Sequence, residues 1–504
     1  MSVRTRELLG AVPLDERRTR FRVWAPRAES VTVHGLALER GEDGVWEAEL
    51  DLPPGTDYRY ELDGREWPDP CSRFQPEGVR GPSRVIDTAF EWTDEAWPGL
   101  ALEELVVYEL HVGTFSGEGT FDGAIPYLDG LRELGVTAIE LMPVATFPGN
   151  RGWGYDGLYT FAPHPAYGGP EGLARLVDAA HVRGLGVILD VVYNHVGPGA
   201  EALAVFGPYF TGRHETFWGD AIDYSQPAVR EWAVQNACHW VRDYHLDGLR
   251  LDAVHAVFDD SPRHVLAELA DRVREESPRA LVISEMGLDD ARPIEEWGHD
   301  AQWADGFHHE LHVLLTGERD GYYERFGSLP GLTGRFEQQP AERLVVFAQN
   351  HDQVGNRALG DRLPPELLRV AAACTLFAPQ VPLLFMGQEY GESRPFQFFT
   401  DHVDPAIAEA TREGRKREFA RFTSFAGEDV PDPQDPATFQ HSKLDRSHRD
   451  EELVALHREL LAARRDLPRE VEVELDEDAR IMRVRRGGAE LVADFAHATV
   501  ELRR

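Results

Sequence analysis

The sequence predicts a multidomain protein: an N-terminal β-sandwich (1–92), a central (β/α)8 barrel (105–430) and a small C-terminal β domain (440–504). Three observations carry this. The 504 residues exceed one ordinary domain. Short period-two runs punctuated by Pro, Gly and Asp fill the N-terminal part. Through the middle, continuous apolar runs alternate with amphipathic helical patterns, the mark of parallel strands buried on both faces.

The elements follow in order. Runs 21–24, 31–33, 45–50 and 58–62 alternate apolar and polar residues and read as sandwich strands. An acidic Pro-Gly bridge spans 92–105. Seven apolar runs follow, at 105–110, 136–141, 187–192, 248–251, 281–284, 344–347 and 381–385. Between them, 170–181 places Leu173, Leu176, Val177 and Ala180 on one face. The segment 261–276 is expected to open on a Ser261 cap with Pro262 in the first turn. Seven or eight strand–helix units over some three hundred residues suit a closed barrel better than an open sheet. No G-x-G-x-x-G follows a strand, which argues against dinucleotide binding. The most apolar stretch, 370–386, is broken by Pro379, Gln380 and Pro382, so it reads as a core helix and a buried strand, with no membrane span expected. A helix at 451–464 and strands at 471–475, 481–484 and 491–494 make up the tail.

Charge narrows the partners. Lys plus Arg minus Asp plus Glu is 52 − 88 = −36. That argues against a phosphate-tracking nucleic-acid binder and against docking on anionic membrane, and leaves a neutral polar substrate open. Cys71, Cys238 and Cys374 are far apart, without metal-ligand or disulfide spacing. With no apolar leader at the N-terminus, a reducing cytoplasm is expected.

The chemistry gathers where the strand runs end, which in a barrel is one mouth. Asp190-Val-Val-Tyr-Asn194-His195 ends one run, Arg250-Leu-Asp252-Ala-Val-His255 the next, Ser284-Glu285 another, and Gln349-Asn350-His351-Asp352 a fourth. Paired carboxylates across a bond are the equipment of glycoside hydrolysis. Arg250 and Asp252, two apart on a strand, share a face, so the guanidinium should keep Asp252 ionised as nucleophile. Glu285, among carboxylates, should start protonated as acid and then act as base. Asp352 is expected to grip the sugar in the distorted transition state.

These four segments resemble the signature regions of the α-amylase superfamily, in order and at strand ends. The resemblance implies Asp252 as nucleophile, Glu285 as proton donor and Asp352 as transition-state stabiliser. It places His195, Arg250 and His351 around the sugar at the cleaved bond, with Tyr155 stacking on it; Asp190 and His255, at the same strand ends, are expected to bind substrate as well. Longer stretches at 154–170, 302–323, 347–357, 385–402 and 414–422 are similar to the maltooligosyltrehalose trehalohydrolase family. That implies a retaining hydrolase releasing trehalose from a maltooligosyltrehalose substrate, functionally paired with a synthase that makes this substrate. Asp305, His308 and His309 are then expected to contact the trehalose end. The N-terminal sandwich resembles the carbohydrate-module-like domain of this family. The chain departs from the family pattern at FMGQEYG, at Asp289 and in a short C-terminal domain. No His pair has zinc spacing and no acidic cage for calcium is visible, so no metal and no other cofactor is expected. The rival readings are an α-glucan branching or debranching enzyme and an inactive carbohydrate-binding protein.

Overall fold

The computed structural model describes residues 8–199, 201–216, 219–287, 290–419 and 430–503. Asp289 and the end of the 414–422 stretch lie outside these residues. At the centre, eight parallel strands close into a barrel. They are β1 (Val107–Leu110), β2 (Ala138–Leu141), β3 (Gly186–Val191), β4 (Gly248–Leu251), β5 (Leu281–Ser284), β6 (Ala301–Trp303), β7 (Leu344–Phe347) and β8 (Val381–Phe385). β8 returns to β1, pairing Leu383 with Val107, so the sheet has no edge. Seven of the eight strands answer to the apolar runs of the sequence. The eighth, β6, has only three residues, Ala-Gln-Trp, too short for a periodic signal.

Period-two alternation divides the strand residues between two environments. Val107, Ala138, Ile188, Leu281, Ile283, Val345, Phe347 and Val381 pack together as a dry plug inside the barrel. Leu100 and Leu105 of the acidic bridge close its N-terminal end. Two residues further along β1, β2, β3 and β4, the inward positions become Glu109, Glu140, Asp190 and Arg250, all buried. The interior thus changes from hydrocarbon to charge as the strands approach their C-terminal ends.

The sandwich is built of a four-stranded sheet containing Thr19–Trp24 and Val45–Leu50 and a second containing Val31–Val33 and Tyr60–Leu62. It is fused to the barrel by aromatic packing: Trp24 meets Tyr209 edge-on at 5.4 Å and Tyr60 meets Phe206 at 6.1 Å. The C-terminal sheet has four antiparallel strands; the last, Thr499–Arg503, has the exposed polar alternation of an edge and escapes a reading based on apolar runs. Arg486 Nη1 donates to the carbonyls of Phe377 and Ala378, capping the negative end of the helix Pro365–Phe377 and docking this sheet on the barrel.

One helix start differs from expectation. The helix after β4 begins at Val265, not Ser261. Asp259 Oδ2 accepts from Val265 N at 2.7 Å, and His264 Nδ1 accepts from Leu266 N, so an acid and an imidazole satisfy the first amide donors.

Candidate active site

Arg250 organises the mouth. It is 0% exposed and its register partner on β3 is Asp190. Its Nη1 donates to Asp190 Oδ2 at 2.7 Å and to Asp252 Oδ1 at 3.0 Å; its Nη2 donates to Glu285 Oε2 at 2.8 Å. The guanidinium lies over the Trp303 ring, 4.1 Å from its centroid, which fixes its plane. One rigid cation therefore spaces carboxylates from three strand ends.

Each carboxylate has further partners. Asn194 Nδ2 donates to Asp252 Oδ2 at 2.7 Å, so donors that cannot take a proton meet both oxygens of Asp252. Ala253, next in the chain, sits at φ +40° and ψ +52°, a left-handed conformation a non-glycine residue adopts only under constraint. That turn aims its amide at Glu285 Oε2, 2.9 Å away. Both hydrogen bonds to Glu285 fall on Oε2. Asp352 Oδ1 accepts from Asn356 Nδ2 at 2.9 Å, and its Oδ2 lies 3.4 Å from His351 Nε2. Burial pushes Asp190 up to about 7 although Arg250 pulls it down, and Asp252 adds to the rise.

Tyr155 donates to Asp190 Oδ2 at 2.6 Å and stacks on His351 with centroids 5.2 Å apart. Trp153, beside it, is buried against Phe396 and His351 and donates to the Gln397 carbonyl, a packing residue. His195 lies between the Asn194 side chain and the Tyr155 carbonyl; burial pushes it down to about 4, so it is neutral. His255 is exposed on a turn over Val254–Ala256.

This geometry meets matching relatives. Residues 89–205 match the model for the catalytic domain of alpha amylase, and residues 8–77 match carbohydrate-binding module 48, the isoamylase N-terminal domain. A malto-oligosyltrehalose trehalohydrolase of Rhizobium sp. (strain M-11) is 44% identical over 96% of this chain and 92% of its own length. That of Deinococcus radiodurans is 45% identical over 92% of this chain and 84% of its own. The chain belongs to the malto-oligosyltrehalose trehalohydrolase family. A crystal structure described as a putative alpha amylase from Salmonella typhimurium superimposes with a TM-score of 0.90 at 40% identity, covering 96% of this chain and 92% of that one.

In this trehalohydrolase-family chain, the segment after β6 divides its expected contacts. Asp305 begins the helix Asp305–Thr316 and accepts from Gln353 Nε2 at 3.2 Å. Burial pushes it up to about 7, with Glu285 and Asp352 adding to the rise, so it belongs to the carboxylate cluster. His308 does not face the mouth, contrary to expectation. It is 2% exposed, its Nδ1 contacts the Ala348 carbonyl at 2.7 Å and its Nε2 the Tyr323 hydroxyl at 2.9 Å, so both nitrogens are used inside the protein. His309, one residue on, points elsewhere: its ring packs among Tyr322, Tyr323 and Phe326, and burial pushes it down to about 4. Tyr322 is 53% exposed over this group.

Glu109, Asn194, Ala253, Trp303 and Gln353 were not expected as site residues. Asn194 stands within the motif that ends at His195. Glu109 could have been found as an acid interrupting an apolar strand run, a pattern that needs a paired partner when buried. Among the described residues, no group of three or more His, Cys, Asp or Glu is arranged to hold a metal ion.

Proposed function

We propose that this chain hydrolyses the α-1,4-glucosidic bond next to the terminal trehalose of a maltooligosyltrehalose, with retention of configuration, and releases trehalose. The observation that carries the reading is the Arg250 guanidinium bonded at once to Asp252 and Glu285 on neighbouring strand ends. In the first step an Asp252 oxygen attacks the anomeric carbon. Glu285 gives its proton, carried on Oε1 because Oε2 already accepts two hydrogen bonds, to the departing glycosidic oxygen. In the second, Glu285 takes a proton from water, which displaces Asp252 and frees the maltooligosaccharide. Asp352 grips the sugar hydroxyls, Tyr155 stacks on the ring, and Asp190, His195, Arg250 and His351 hold the sugar or the groups touching it.

A substrate carrying trehalose at one end must come from an enzyme that rearranges the reducing end of a maltodextrin, and we assign a synthase of that kind as the functional partner. The reading places the enzyme in the cytoplasm, where three free, buried cysteines stay reduced. Among the described residues, no helix is long and apolar enough to cross a membrane. The test is product analysis on maltotriosyltrehalose, maltopentaose and an α-1,6-linked glucan. Free trehalose from the first, at a rate far above hydrolysis of the others, is expected; transfer or cleavage at α-1,6 bonds instead would overturn the reading.

A further inference from the structure

Glu109 lies on β1, is 1% exposed, and sits beneath the mouth out of reach of a sugar. Both its oxygens are engaged by one residue. Oε2 accepts from the backbone N–H of His351 at 2.8 Å, and Oε1 meets His351 Nδ1 at 2.5 Å. On the other side of that ring, Nε2 is 2.7 Å from the Tyr155 hydroxyl. Tyr155 has one proton, and it points to Asp190 Oδ2, which also accepts from Arg250. The Arg250 guanidinium on that same oxygen favours Asp190 as the carboxylate that accepts from Tyr155. The Tyr155 oxygen therefore accepts from Nε2, and Nδ1 donates to Glu109, so the ring carries two protons.

We propose that Glu109 is a positioning residue for the hydrolysis: it holds His351 as an imidazolium, which fixes Tyr155 under the sugar and sets a positive charge beside Asp352. The proposal rests on the hydrolase reading above. The groups facing His351 support it. Burial pushes Glu140 on β2 well above the usual carboxylate range, with neighbouring Glu109 adding to the rise, and pushes His111 down to about 4, so His111 does not compete for the charge. Burial and Arg250 act against protonation of His351, but Asp352 and Glu109 overrule them and push it up to about 10.

The test uses the full-length protein. In wild type labelled with 15N-histidine, with the His351 signal assigned by its loss in His351→Gln, both ring nitrogens should show imidazolium shifts at pH 8. In Glu109→Gln the charge that fixes the second proton is gone, and the same signals should become those of a neutral ring. A ring returning to an ordinary pKa near 6.5 is about 3% protonated at pH 8 and almost fully protonated at pH 5. The loss of kcat on maltotriosyltrehalose should accordingly be about 30-fold at pH 8 and shrink to a few-fold at pH 5, with KM changing less than kcat. Glu109→Asp, which keeps the charge, should retain the wild-type pH dependence. A merely structural role would give the same loss at both pH values. Neutral-ring shifts for the assigned His351 in the wild type at pH 8 would overturn the proposal whether or not the Glu109 variants fold. The spectra need no substrate, so failure of the trehalose assignment is seen separately, in the product analysis.

Discussion

Asp305→Asn should make the protein more stable at alkaline pH while damaging the enzyme. Asp305 is half-buried among carboxylates, and its pKa is about 7 in the fold against an ordinary 3.8. A rise of that size corresponds to about 4 kcal/mol, at about 1.4 kcal/mol for each tenfold change in proton affinity. Residual solvent contact and relaxation reduce this, so about 1–2 kcal/mol is expected. The sign follows from proton linkage. Between the unfolded and folded pKa the native state holds a proton that the unfolded chain has lost, so stability falls as pH rises through that window and is flat above it. Asparagine never ionises, yet its Oδ1 can still accept from Gln353 Nε2 as Asp305 does now. Thermal unfolding of both proteins from pH 5 to pH 9 should show the variant's advantage growing up to about pH 7 and then levelling. Hydrolysis of maltotriosyltrehalose should fall by at least about tenfold, because strain and like charge at a site are retained for function. A variant less stable than wild type at every pH, or an advantage independent of pH, would refute the electrostatic account.

Other expectations are simpler. Asp252→Asn should lose at least about 10⁴-fold in kcat with an unchanged melting curve, because the covalent step is removed; wild-type turnover would exclude the nucleophile assignment. In a complex with an unreactive substrate, the Asp252 and Glu285 carboxylates should lie about 5–5.5 Å apart, and about 9 Å would indicate inversion. Tyr322 is an exposed ring over the His309 group, and on the proposed reading Tyr322→Ala should lower kcat/KM on maltotriosyltrehalose more than on maltopentaose; equal losses would place recognition elsewhere. Activity should survive exhaustive chelation, and loss restored by calcium alone would contradict this. At the far end of the barrel, His181 contacts Asp94 at 2.9 Å and Asp247 at 2.8 Å. Burial pulls its pKa down but the two acids leave it raised, so its stabilisation is full at low pH and is lost as pH rises through the folded pKa. His181→Gln should cost about 3 kcal/mol at pH 6 and less once the pH has risen through the folded pKa, read by thermal unfolding at increasing pH.

The sequence by itself determined the elements whose signals are local. Continuous apolar runs announced seven barrel strands because a strand covered on both faces must be apolar along its length. Strand ends rich in Asp, Glu and His announced the mouth, and the spacing of Arg250 and Asp252 placed both on one face. Tertiary structure alone decided what depends on neighbours distant in the chain. β6 is too short to have a period, and it exists because β5 and β7 offer it hydrogen bonds. His308 and His309 are adjacent in sequence, but a helix turns about 100° per residue. Packing, not composition, sends one ring to the Ala348 carbonyl and the other to the Tyr322 side. Glu109 and His351 are 242 residues apart and meet because barrel closure brings the ends of β7 and β1 to the same mouth, separated only by β8. A buried carboxylate has to be paired, and which residue pairs with it is settled only when the barrel closes.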